Sequence, residues 1–205
     1  MPKKVDHGER RRHIAAALLR VIEREGMEAV SVRTVAAEAR CSVGAIQRHF
    51  TSKDEMLRFA LAEVIEASGE RLRHLPLTTD GRRFPEMLRT VILAVLPLDA
   101  ARRGEALVWA AFYAQAAARP DFAAAIAEVT RESRGLLLVA LRLAEECGRL
   151  RPGQDHEALA QLIMAVMDGL MWAILVDPDG VRGRHLDAVD ATVALLCTED
   201  EEGNR

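Results

Sequence analysis

From Ser42 to Lys53 the chain reads Ser-Val-Gly-Ala-Ile-Gln-Arg-His-Phe-Thr-Ser-Lys, with small residues first and hydrogen-bonding ones after them. If Ile46 and Phe50 turn inward on a short helix, then Val43, Gly44, Ala45, Gln47, Arg48 and His49 are left on its outer side. Small residues let a helix end sink into a groove. A Gln amide can pair with an adenine edge, and an Arg guanidinium can hold phosphate or guanine. Lys53 stands at the start of the next helix, where exposed backbone amides favour an anion. Thr34 and Ser42, near the starts of two neighbouring helices, complete the candidate set. Such a face suits phosphate and base edges.

Other chemistry is poorly represented. There is no G-x-S-x-G, H-E-x-x-H, P-loop or G-x-G-x-x-G. The six histidines (His7, His13, His49, His74, His156 and His185) form no i, i+4 pair with one another. Three cysteines, Cys41, Cys147 and Cys197, lie far apart without a C-x-x-C, so neither a disulfide framework nor a cysteine zinc site is expected. The reading is no catalytic residue, no metal and no cofactor.

The elements that must position the candidate face are helices. Ser31 is placed to cap one helix and Ser42 the next, while Ser52 and Glu55 form an S-x-x-E capping box for a third. Only Arg40, Cys41 and Ser42 separate the first two, which forces a steep crossing of helix-turn-helix type. Val35, Ala36, Ala39, Cys41, Ile46 and Phe50 can pack in the angle. Apolar stripes elsewhere follow the helical period, and prolines 76, 85, 97, 120, 152 and 178 fall between them or at helix starts. The spacing predicts helices near 9–25, 32–39, 43–49, 53–74, 84–96, 99–118, 121–147, 155–176 and 184–198. The expected fold class is all-α, about nine helices and no sheet, consistent with only 4% aromatic residues.

Residues 10–58 resemble the N-terminal domain of TetR/AcrR transcriptional regulators. The resemblance rests on the amphipathic helix Arg11–Glu25 ended by Gly26, on Val32–Ala39, and on Ser42 through Phe50. Phe50, Lys53 and Leu57 repeat the way that family closes its recognition helix. Two positions depart from the pattern. Arg40 stands where the family usually has Gly, so a non-glycine must adopt a left-handed conformation at a cost of about 1 kcal/mol. Gln47 replaces the usual aromatic three residues before the closing Phe.

The resemblance implies a DNA-binding domain at 1–52 and a helical ligand-binding and dimerisation domain at 53–205. It also implies a homodimeric regulator, usually a repressor, that binds a double-stranded operator and is released by a small-molecule effector. For the dimer interface the apolar faces point to Leu159, Leu162, Ile163, Val166 and Leu170, then Leu186, Val189, Val193 and Leu196 at seam spacing. The alternative is that both helices cap the monomer core. Large adaptable side chains that could line an effector pocket are Met87, Trp109, Phe112, Tyr113, Met164, Met167 and Trp172, with Asp168 and Glu105 as polar candidates. Such residues also serve as plain core.

Charge agrees with a two-part reading. Residues 1–58 carry twelve Lys/Arg against eight Asp/Glu, whereas 59–205 carry sixteen against twenty-three. A basic head on an acidic body suits a phosphate-binding module. The chain of 205 residues has no apolar run approaching the roughly 20 needed to cross a bilayer and no signal-peptide pattern, so the expectation is a soluble cytoplasmic protein without a membrane partner. Two other classes remain open. One is a small-molecule binding protein whose head does not read DNA, towards which Arg40 and Gln47 lean; the other is a helical enzyme, which would need convergent acid/base groups.

Overall fold

In the computed structural model, residues 7–75, 80–177 and 183–198 are described. Nine α-helices follow one another among them: α1 (His7–Glu25), α2 (Val32–Glu38), α3 (Val43–Gln47), α4 (Lys53–Arg73), α5 (Phe84–Val95), α6 (Ala100–Ala116), α7 (Pro120–Glu146), α8 (His156–Val176) and α9 (Arg184–Leu196). Single 3₁₀ turns precede α2 and α5, at Met27–Ala29 and Gly81–Arg83. No strand occurs among the described residues; one isolated bridge joins Leu150 and Cys197. Lys3 and Lys4, residues 76–79 of a loop that the sequence predicts near 75–83, residues 178–182, which hold most of the Asp-Pro-Asp-Gly turn signal at 177–180, and the acidic stretch 199–205 lie outside the described residues.

The chain divides into two compact units. The first comprises Met1–Gly69 and Ala100–Ile126. In α1, Ile14, Leu18, Val21 and Ile22 are buried, which is the apolar stripe its sequence announces. They share a core with Val35, Ala36 and Ala39, with Ile46 and Phe50, with Met56, Leu57, Ala60, Leu61 and Val64 of α4, and with Val108, Phe112, Phe122 and Ile126. This core therefore seats α2 and α3 on α1, α4 and α6.

The second unit comprises Glu70–Asp99 and Ala127–Arg205. Its core gathers Phe84, Leu88 and Ile92 of α5, Leu141 and Ala144 of α7, Ile163, Leu170 and Ile174 of α8, and Val189 and Leu196 of α9. Arg89 Nε donates to Asp190 Oδ1 at 2.6 Å, tying α5 to α9. Gly81 meets the backbone of α7 so closely that a Cβ there would lie 2.0 Å from the Leu143 carbonyl oxygen.

Two expected faces turn out differently. Leu159, Ile163, Leu170, Val189 and Leu196 are buried in the chain's own core, so they hold α8 and α9 to this unit and are not free for a partner. Val166 and Val193 pack partly against the same core, and Leu186 is half-buried. Of the nine interface candidates only Leu162 is exposed, at 48%. In α7 the helical period predicts one long stripe from Phe122 and Ile126 through Leu136 to Leu141 and Ala144; it breaks at Leu136, which is exposed as is Val139, because the helix buries its two ends in different cores. By length and composition α8 meets the criterion for a bilayer span, with an 18-residue window of mean hydropathy 2.0. That apolarity lies on both its faces, and no uninterrupted apolar run revealed it.

Candidate nucleic-acid interface

Each short helix of the head begins on a side-chain cap. Ser31 Oγ accepts from Thr34 N at 3.1 Å, and Thr34 Oγ1 accepts from Ser31 N at 2.9 Å. Thr34 also donates to the Ala29 carbonyl at 2.7 Å, so its hydroxyl is tied to the start of α2. Ser42 Oγ accepts from Ala45 N at 3.1 Å and starts α3. Between them Arg40 takes φ 51°, the left-handed conformation that its place in the turn requires. Arg40 N and Cys41 N donate to the Ala37 and Ala36 carbonyls, which closes α2 and redirects the chain into α3.

The inward residues Ile46 and Phe50 fix which side of α3 faces out. Ser42, Val43, Gly44, Gln47 and Arg48 are exposed; Ala45, His49 and Lys53 are half-buried. A Cβ at Gly44 would meet nothing closer than Ser42 Oγ at 4.0 Å, so the N-terminal end of α3 is open to a bulky ligand. His49 is less free than its spacing suggests. Its ring lies 4.4 Å from that of His7, centroid to centroid, and its Nδ1 is enclosed without a hydrogen-bond partner. Burial lowers its pKa, and the neighbouring His7, Arg10, Arg11 and Arg48 lower it further.

The start of α4 corrects the expected capping box. Glu55 N donates to Ser52 Oγ at 3.1 Å, as an S-x-x-E pattern requires. The Glu55 carboxylate, however, reaches Thr51 instead of Ser52, with Oε2 accepting from Thr51 N and from Thr51 Oγ1, each at 2.8 Å. Its Oε1 accepts from Arg11 Nη2 at 3.0 Å. The Thr51 hydrogen bonds hold the Glu55 carboxyl below its ordinary range, with Arg11 adding to the effect.

Arg11 is the residue that sequence reading missed. Its guanidinium sits 4.5 Å from the centroids of both Phe50 and Phe59, whose rings meet edge to face at 5.6 Å. A signal existed: Arg11, Ile14, Leu18 and Val21 repeat at helical spacing, so Arg11 extends the inward stripe of α1 by one turn. A second clamp joins the α6–α7 corner to α4. Arg119 Nη2 donates to Asp54 Oδ2 at 2.7 Å and to Asp121 Oδ2 at 3.1 Å, while Arg58 Nη1 donates to Asp121 Oδ2 at 3.0 Å. Arg119 also lies over the Phe122 ring at 4.4 Å.

This is a helix-turn-helix with its second helix presented to solvent, small at one end, cationic at the other, and flanked by a lysine at a helix start. Residues 14–59 match the family model described as bacterial regulatory proteins, tetR family, and residues 85–198 match the C-terminal domain of BetI-type transcriptional repressors. The chain belongs to the TetR family. A TetR-family relative, the transcriptional regulator PksA of Bacillus subtilis (strain 168), is 32% identical over 202 residues, covering 98% of this chain and 96% of its own. A solved regulator from Rhodococcus sp. Rha1 superposes with TM-score 0.78 at 32% identity over 91% of this chain and 95% of its own. Another, from Saccharomonospora viridis and solved in complex with choline, gives TM-score 0.81 at 25% identity over 94% and 100%. The matched families are regulators, not enzymes.

The pocket candidates fall in both units of this TetR-family chain. In the first, Trp109 and Tyr113 lie partly buried with ring centroids 6.1 Å apart, whereas Phe112 is sealed in the core against Phe122 at 5.4 Å. Phe112 is thus core and lines no open space. In the second, Met87 and Met167 pack partly against the core, and Met164 and Trp172 are half-buried. Asp168 keeps solvent contact on α8, yet its apolar surroundings push its carboxyl pKa up.

Proposed function

We propose that this chain is a homodimeric transcriptional repressor that reads a pseudo-palindromic operator and is released by a small-molecule effector. The observation that carries the reading is the outer face of α3, where Val43, Gly44, Gln47 and Arg48 stand exposed on a helix seated by Ile46 and Phe50, beside Lys53 at the start of α4. Two copies related by a two-fold axis would enter successive major grooves about 34–36 Å apart. In this reading 1–52 is the DNA-binding head and 53–205 the effector and dimer domain, and acting on DNA places the protein in the cytoplasm.

The dimer has support in α8. Ala158, Leu162, Ala165, Gly169 and Val176 are exposed at spacings that keep them on one face, an apolar stripe suited to an identical helix. For the effector, the choline-bound relative favours a small organic cation. Glu105, Trp109 and Tyr113 recur every four residues along α6, and a carboxylate with two aromatic faces suits a cation. Such an effector acts only by its preference for the conformation that fits DNA poorly.

The experiment is fluorescence anisotropy of the protein on duplex DNA from upstream of its own gene, at two salt concentrations, against a scrambled duplex. Tight, salt-sensitive binding to the native duplex, weakened by millimolar choline, is the expected outcome. Equal weak binding to both duplexes, together with no operator in a genome-wide selection of bound fragments, would overturn the reading.

A further inference from the structure

The head carries a second cationic feature away from the outer face of α3. A cleft of about 560 Å³ opens along α1 and the end of α2, lined by Arg10, His13, Arg20, Glu38, Ala39 and Arg40. Its one carboxylate is already matched: Glu38 accepts from Arg20 Nε at 2.6 Å and from Arg24 Nη1 at 3.0 Å. The ring of His13 is engaged with the Ala39 carbonyl, 3.0 Å from Nε2. Arg10 and Arg40 are left. Both are exposed, and neither guanidinium meets a carboxylate among the described residues.

Arg40 stands there against its backbone preference. At φ 51° a glycine would be unstrained, and what arginine adds in return is a guanidinium at the cleft. Arg10 stands one turn on from His7, whose ring lies 4.4 Å from that of His49, so the first turn of α1 runs beside the end of α3. The cleft therefore lies along the same first turn of α1 that borders the end of α3.

We propose that Arg10 and Arg40 clasp a backbone phosphate of duplex DNA, so that the cleft is a second anchor outside the recognition helix. The proposal rests on the DNA-binding reading above. Guanidinium groups match phosphate oxygens in paired hydrogen bonds. A contact of this kind fixes the protein on the duplex but reads no bases, so its loss weakens every sequence alike. A free phosphate ester offers the same chemistry, and the test separates the two sources.

Arg40→Gly is the informative variant, because it removes the guanidinium and the strain together. The full-length protein is titrated by anisotropy on its upstream duplex and on a scrambled duplex across a range of salt, with thermal melting in parallel. Arg40→Gly is expected to melt no lower than the parent, to weaken both duplexes by the same factor, and to reduce the slope of log K against log salt by about 0.9. Arg10→Gln should do the same to the slope, and because the two groups hold one phosphate the double variant should lower it by no more than about 0.9. An unchanged slope in both single variants overturns the proposal, and a lowered melting point with an unchanged slope makes Arg40 merely structural. Inorganic pyrophosphate, titrated by calorimetry, is expected not to saturate the cleft. Saturable binding lost in Arg40→Gly, with DNA slopes unaltered, would reassign the cleft to a free phosphate ester. A parent protein that binds neither duplex would instead bring down the DNA reading itself.

Discussion

Arg48 and Lys53 carry the charge of the docking face, and their settings predict different losses. Arg48 is exposed beyond the last turn of α3, while Lys53 is half-buried at the first residue of α4. Replacing either with Ala should lower the salt slope of duplex binding by about 0.9 if it contacts one phosphate. Arg48→Ala should in addition relax sequence preference if its guanidinium reaches a base, at about 1–3 kcal/mol, which a panel of single-base operator variants would reveal. His49 adds a pH dependence. Its imidazole pKa is lowered by burial and by His7, Arg10, Arg11 and Arg48, so the folded head binds fewer protons there than the unfolded chain. The site's contribution to stability is therefore full above the ordinary imidazole range and declines as the pH falls through it. Phosphates have the opposite effect and favour the imidazolium. Duplex affinity should rise as the pH falls through the ordinary imidazole range, and His49→Gln should flatten both trends in anisotropy and melting series. The outward set Val43, Gly44, Gln47 and Arg48 was legible because Ile46 and Phe50 define the opposite face by spacing alone. The roles of Thr34, Arg11 and His49 were not, because each depends on a partner outside the local pattern: the Ala29 carbonyl, Glu55 forty-four residues away, and His7.

At the scale of elements, starts and stops were legible because their causes are local. Ser31, Ser42 and Asp155 cap their helices by hydrogen bonds to amides two or three residues on, which composition at those positions foretells. Long-range clamps leave no such trace. Nothing near Asp54 in sequence points to Arg119, yet their ion pair seats the first turn of α4 against the α6–α7 corner. The Arg119 hydrogen bond holds the Asp54 carboxyl below its ordinary range, so its stabilisation is present at neutral pH and is lost as acid protonates it. Arg119→Ala removes two part-exposed ion pairs and a cation–π contact, and should lower the urea midpoint of unfolding at neutral pH. The difference from the parent should shrink on acidification. A deficit that persists unchanged at low pH would mean that packing on Phe122, and not charge, does the work. The second unit has its own sensitive point. Gly81→Ala places a methyl group against the α7 backbone at Leu143, so it should destabilise by about 1–3 kcal/mol although Gly81 has no unusual φ.

At the scale of the whole molecule, sequence period identifies an apolar face but not what covers it. In α8 nearly every position is apolar, so Leu162 and Ile163 look alike in sequence and only the fold separates them. Ile163 is fully buried in the chain's own core, whereas Leu162 is 48% exposed in line with Ala158, Ala165, Gly169 and Val176. Opposite outcomes follow for the same chemical change. A charge at Ile163 must be buried without a partner, so Ile163→Asp should fail to fold or melt far below the parent. Leu162→Asp leaves the core intact and places two like charges in the proposed two-fold interface, so it should give a folded monomer by analytical ultracentrifugation. That monomer keeps the α3 face but loses the linkage between heads. Two joined heads bind a second half-site as an intramolecular event, so operator affinity should fall by about 10²–10⁴ while the weak affinity for a single half-site persists. A Leu162→Asp protein that stays dimeric and binds its operator as the parent does would move the interface away from this stripe. The exposed Leu136 and Val139 of α7 would then be the next surface to test.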